Sequence, residues 1–133
     1  MKANSVLTPL QHRFLQAFFA HQVGTRFFLT GGTALAAFYL HHRLSRDVAL
    51  FTTDDHALPL ARREIPLIAS SLGCQARSGT TTPTFQVFLL KSRDEPPLKV
   101  DLVRDIDIQF GTPHKLDTIS NIWWRWPSKK IAA

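Results

Sequence analysis

The sequence predicts an α+β fold, a short mixed β-sheet packed by helices in a single domain. Three observations carry this. Helical and strand-like periods are interspersed in the first half. Three strand candidates then follow one another closely, as in an antiparallel meander. The 133 residues are 44% apolar and 20% charged, enough for one hydrophobic core and typical of a globular chain.

The elements follow in order. Thr8-Pro9 predicts a helix start, with Thr as N-cap and Pro at the first helical position. Leu10, Phe14, Leu15, Phe18 and Phe19 recur at helical spacing, and Gly24 is the expected stop. Residues 26–30, "RFFLT", predict a short buried strand, which Gly31-Gly32 turns into a helix over 33–42 with Leu35, Phe38 and Tyr39 on one face. Residues 48–51 predict a second buried strand. A helix is expected over 57–72, with Asp54 and Asp55 offering N-caps, Pro66 kinking the middle and Gly73 ending it. Strands are expected over 75–78, 85–90 and 98–103, joined by the turn-like links "SGTTTPT" and "KSRDEPP". The core domain spans about residues 8–122. In the tail, residues 114–127 fit a short strand or a helical turn, and "SKKIAA" (128–133) reads as a helix start.

Charge and cysteine usage narrow the classes. Ten arginines and six lysines against ten acidic residues leave a net charge of +6. That suits a polyanionic partner such as nucleic acid or nucleotide phosphate, and it equally suits a solvated basic surface. The lone Cys74 makes no internal disulfide and lacks zinc-ligand neighbours, so it reads as a small core residue. No apolar run reaches a membrane span and no signal-peptide core opens the chain, so the expected compartment is the cytoplasm.

The stretch from Phe28 to Phe51 carries the chemistry. Two glycines between a strand and a helix let backbone approach a ligand closely, and the free N–H groups of the next helix point back at that turn. Gly31, Gly32 and Thr33 are therefore candidate phosphate contacts; a purely structural turn is the competing reading. Asp47 opens the following strand. Residues i and i+2 of a strand share a face, so a D-x-D pair there can hold divalent ions that activate a hydroxyl and stabilise a leaving phosphate. Here the second position is Ala49. A further carboxylate is available from "LKVDLV", in which Leu98, Val100 and Leu102 fall on one face and Lys99, Asp101 and Val103 on the other. An unpaired charge at Asp101 would be costly among apolar neighbours. It is either a metal ligand or the partner of Lys99 or Arg104 in a salt bridge.

Together these residues resemble the signature of the AbiEii/AbiGii-type nucleotidyltransferases, toxin components of toxin–antitoxin and abortive-infection systems. The family pattern, GGTAL, then HR-x-S-x-D-[LIV]-D-[LF]-F, then KVDL, is matched by Gly31 to Leu35, His42-Arg43, Ser45, Asp47, Leu50-Phe51 and Lys99 to Leu102. The resemblance implies a DNA-polymerase-β-like nucleotidyltransferase fold. It implies transfer of a nucleotide from an NTP to an acceptor, in some relatives a tRNA end, with Mg²⁺ as cofactor and a cognate antitoxin as partner. By the same resemblance Asp47 and Asp101 are catalytic metal ligands. Gly31, Gly32 and Thr33 bind nucleotide phosphates, and Arg43 and Ser45 line the approach to the triphosphate. Two departures stand out. Ala49 replaces the family's second aspartate, so the expected enzyme is impaired or inactive. The family's helical C-terminal half is represented only by "SKKIAA", where Lys129 or Lys130 matches its basic active-site residue.

Other candidates have ordinary readings. His41-His42-Arg43 suits a helix C-terminus. Asp105 and Asp107 follow a strand end. "WWRWP" (123–127) gathers all three tryptophans around Arg125. It reads as a base-stacking clamp or, preferably, as an apolar interface for a homodimer or another partner through Trp123–Trp126. The alternative to an enzyme is a catalytically silent nucleotide- or partner-binding module. A nucleic-acid-binding protein using the basic face ranks third.

Overall fold

The computed structural model describes residues 8–30, 47–104, 114–115 and 123–125, the last two segments as strand backbone. The helix expected over 33–42 lies outside the described residues, as does the one expected at 128–133.

Helix α1 (Pro9–Ala20) starts as the sequence predicts. The Thr8 hydroxyl accepts from the Gln11 N–H, and the Gln11 side chain accepts in return from the Thr8 N–H, a reciprocal capping box. Its end differs from expectation. The helix stops at Ala20, and Gln22–Arg26 form a 3-10 turn containing Gly24. Gly24 is needed for packing rather than capping: a Cβ there would lie 2.3 Å from the Phe18 carbonyl oxygen and 2.4 Å from the Phe19 Cα. Only a residue without a side chain lets the turn fold back onto α1.

Helix α2 (Ala57–Ser71) runs continuously through the exposed Pro66. Its N-cap is His56, not an aspartate, and His56 makes no side-chain cap bond. Asp54 orders the entry instead, accepting from the His56 N–H at 2.8 Å, while Asp55 turns away to Arg104 at 2.7 Å. Gly73 ends the helix as expected. At φ +77° it lets the Gly73 N–H reach the Ser70 carbonyl and the Cys74 N–H reach the Ala69 carbonyl, a Schellman closure.

Among the described residues seven strands, β1 (Phe28–Thr30), β2 (Asp47–Thr52), β3 (Gln75–Thr82), β4 (Phe85–Lys91), β5 (Leu98–Arg104), β6 (His114–Lys115) and β7 (Trp123–Arg125), form one sheet in the order β3-β4-β5-β2-β1-β7-β6. The meander β3-β4-β5 is antiparallel, while β2 lies parallel to β5 and β1 parallel to β7. Thus Trp123–Arg125 form a strand, one of the alternatives the sequence left open. Strand β3 is longer than expected. Residues predicted as a link extend it to Thr82, leaving a two-residue turn at Pro83-Thr84. It is an edge strand with almost every side chain exposed, so it shows no apolar alternation to read. A register shift between Ser78 and Thr81 marks a bulge there. Buried Gln86 spans it, donating to Ser78 Oγ and accepting from Thr81 Oγ1 and from Arg62 Nε on α2.

The helices cover one face of the sheet. Val48 and Leu50 of β2, Val100 and Leu102 of β5, and Phe88 and Leu90 of β4 are buried in one core with Phe14, Phe18, Ile65 and Ile68. Phe18 stacks its ring 5.3–5.6 Å from Phe14, Phe19 and Phe27. Cys74 is buried at the margin of this core, and burial raises its thiol above the usual pKa.

Candidate active site

The alternation that buries Val48, Leu50, Val100 and Leu102 sends the intervening residues of β2 and β5 to the opposite face. Parallel pairing then aligns them. Asp47 lies beside Lys99, and Ala49 beside Asp101. The two predicted carboxylates therefore stand on neighbouring strands and on one face, offset by two residues in the register, although 54 positions separate Asp47 from Asp101 in the chain (101 minus 47). The position that would complete a D-x-D motif faces Asp101 with only a methyl group.

Lys99 joins the two carboxylates. Its ammonium lies 3.8 Å from Asp47 Oδ2 and 3.5 Å from Asp101 Oδ1. The sequence offered Lys99 or Arg104 as partners of Asp101. The structure selects Lys99, because Arg104 is engaged by Asp55. Side-chain exposure grades the site: 46% for Asp47 and 44% for Lys99, but 22% for Asp101. Asp101 Oδ1 is itself buried and accepts no hydrogen bond among the described residues. At 3.5 Å the ammonium balances its charge without making a good hydrogen bond.

This donor set fits a divalent cation in reduced form. A hard oxygen-seeking ion takes one or two protein carboxylates and completes its shell with phosphate and water oxygens. Asp47 and Asp101 supply such a pair, and the buried Asp101 Oδ1, with no hydrogen-bond donor among the described residues, is the acceptor a cation would satisfy. No cluster of three His, Cys, Asp or Glu residues occurs among the described residues. Asp54 and Asp55 do not replace the missing carboxylate, since they follow the far end of β2 and pair with Arg26 and Arg104.

The remaining predicted site residues, Gly31, Gly32, Thr33, Arg43 and Ser45, lie outside the described residues, as do His41, His42, Asp105 and Asp107. Strand β1 is antiparallel to β2, with Leu29 beside Leu50, so it ends at Thr30 toward the Asp47 end of β2.

A family model described as nucleotidyl transferase AbiEii toxin, type IV TA system, matches residues 13–119. The chain belongs to the AbiEii family. No curated protein matches it. Among solved structures, this AbiEii chain is similar to MenT4, the nucleotidyltransferase toxin Rv2826c from Mycobacterium tuberculosis H37Rv, at 17% identity and a TM-score of 0.53. The alignment covers 72% of the AbiEii chain and 36% of MenT4, so the chain spans about a third of that protein's length. Identity this low speaks to fold, and the shared fold is that of a nucleotidyltransferase toxin. No described helix is long and apolar enough to cross a membrane.

Proposed function

We propose that this chain is a nucleotidyltransferase-type toxin domain whose transfer chemistry is impaired by Ala49. The substrate would be an NTP, the acceptor a tRNA or another RNA, the cofactor Mg²⁺ and the setting cytoplasmic, with a cognate antitoxin. The observation that carries this reading is the juxtaposition of Asp47 and Asp101 on adjacent parallel strands with Ala49 beside Asp101. In this reading the two carboxylates hold the cation from β2 and β5. The chemistry a divalent ion held by Asp47 and Asp101 would supply is neutralisation of triphosphate charge and activation of the attacking hydroxyl. Gly31, Gly32 and Thr33 offer backbone and hydroxyl donors to the phosphates, and Arg43 and Ser45 flank the triphosphate. Ala49 contributes no oxygen, so the charge that would hold a second ion is absent. Homodimerisation through Trp123–Trp126 belongs to the same proposal.

A second reading is a catalytically silent nucleotide- or partner-binding module. It is favoured by the same alanine and by the ammonium that already bridges the two carboxylates.

Incubating the chain with labelled NTPs, Mg²⁺ and total tRNA, beside an Ala49→Asp variant, separates the two. The impaired-enzyme reading expects label transfer by the variant and little or none by the parent. NTP binding by both with transfer by neither would favour the silent module. Loss of Mg²⁺-dependent NTP binding in both would overturn the site assignment.

A further inference from the structure

Strand geometry places Lys99 where a cation is needed. It lies two residues before Asp101 on β5, so both side chains share a face, and its register partner across the β2–β5 ladder is Asp47. Its ammonium accordingly reaches both carboxylates, at 3.8 and 3.5 Å. The other cationic residue of β5, Arg104, is drawn to Asp55 at the opposite end of the strand. We propose that Lys99 is a resident counter-cation shared by Asp47 and Asp101, so that a divalent ion binding both carboxylates displaces the Lys99 ammonium. The inference rests on the metal-site reading above and deepens it by assigning Lys99 control over metal affinity.

Two features support competition rather than simple structural pairing. The buried Asp101 Oδ1 has charge compensation from Lys99 but no hydrogen bond among the described residues, so a closer-binding cation has a better-matched acceptor to gain. In addition, Ala49 brings no carboxylate of its own to the position beside Asp101. An aspartate at that position would add a third negative charge beside Asp101 and shift the balance toward a doubly charged ion. The lysine is long, flexible and almost half exposed, so its head can swing into water while its stem stays on the strand.

Mn²⁺ binding, read by electron paramagnetic resonance of the free ion, tests this without requiring catalysis. Lys99→Met is expected to bind Mn²⁺ about tenfold more tightly than the parent, the combined factor from removing two competing exposed ion pairs. Lys99→Arg keeps the charge and is expected to remain near the parent. Mn²⁺ should also raise the melting temperature of Lys99→Met more than that of the parent. Lys99→Gln provides the same comparison with a polar side chain should the methionine variant fold poorly. Unchanged or weaker Mn²⁺ binding in both neutral variants, with Asp101→Asn still abolishing it, would overturn the proposal and leave the metal site standing. Mn²⁺ binding indifferent to Asp101→Asn in every background would remove the metal-site reading and this inference with it.

Discussion

The two faces of β2 and β5 obey opposite rules. On the helix-covered face Val48, Leu50, Val100 and Leu102 have essentially no exposure. On the other, the same strands present Asp47, Ala49, Lys99 and Asp101, all at least partly exposed, with Lys99 paired to both carboxylates. One face excludes water and stabilises the fold. The other keeps like charges near one another, an arrangement that contributes little to stability and is suited to holding a cation. The difference teaches that position 49 lies off the core face. The strand would form with aspartate or alanine there, because the β2 residues packed into the core are those at 48 and 50.

The sharpest way to break the comparison is to mutate each face in the same strand. Leu102→Ala removes a fully buried side chain from the core and should destabilise the protein by about 2–5 kcal/mol in urea or thermal unfolding. Its neighbour Asp101→Asn should change stability by less than about 1 kcal/mol, since the pair it breaks is partly solvated. Equal losses in the two variants would show that the carboxylate face is structural after all. The smallest effect belongs to the turn after β2. Asp54 is held below its ordinary pKa of 3.8, first by the His56 N–H and then by Arg26 at 2.5 Å. A depressed folded pKa stabilises the protein above the unfolded value, and that contribution disappears as pH falls through the folded value. Asp54→Asn should therefore melt slightly below the parent at neutral pH, and the gap should close on acidification below pH 3.8. A gap independent of pH would assign the turn's stability to shape rather than charge.

Much of the fold was legible because local sterics write it into the sequence. Thr8-Pro9 and the phenylalanine spacing gave α1, the alternation in "LKVDLV" gave both faces of β5, and Gly73 gave the end of α2. Three features were not legible locally. Exposed β3 has no apolar period, its extension resting on a hydrogen-bonded ladder with β4 and on Gln86. Gly24 looked like a helix stop, yet its role comes from the approach of the 3-10 turn to Phe18 and Phe19. Asp54 and Asp55 looked like caps, but a capping carboxylate can equally take an arginine brought in from a distant segment, as Arg26 and Arg104 show.

The sequence by itself determined which side chains of these strands share a face: Asp47 with Ala49, and Lys99 with Asp101. It determined them because alternation along a strand is fixed by the backbone, whatever lies alongside. The tertiary structure alone decided that β2 and β5 run parallel with Ala49 beside Asp101 and Asp47 beside Lys99. Register between strands so far apart in the chain is set by the whole sheet and by the core buried beneath it. A shift of one residue would have turned either carboxylate into that core.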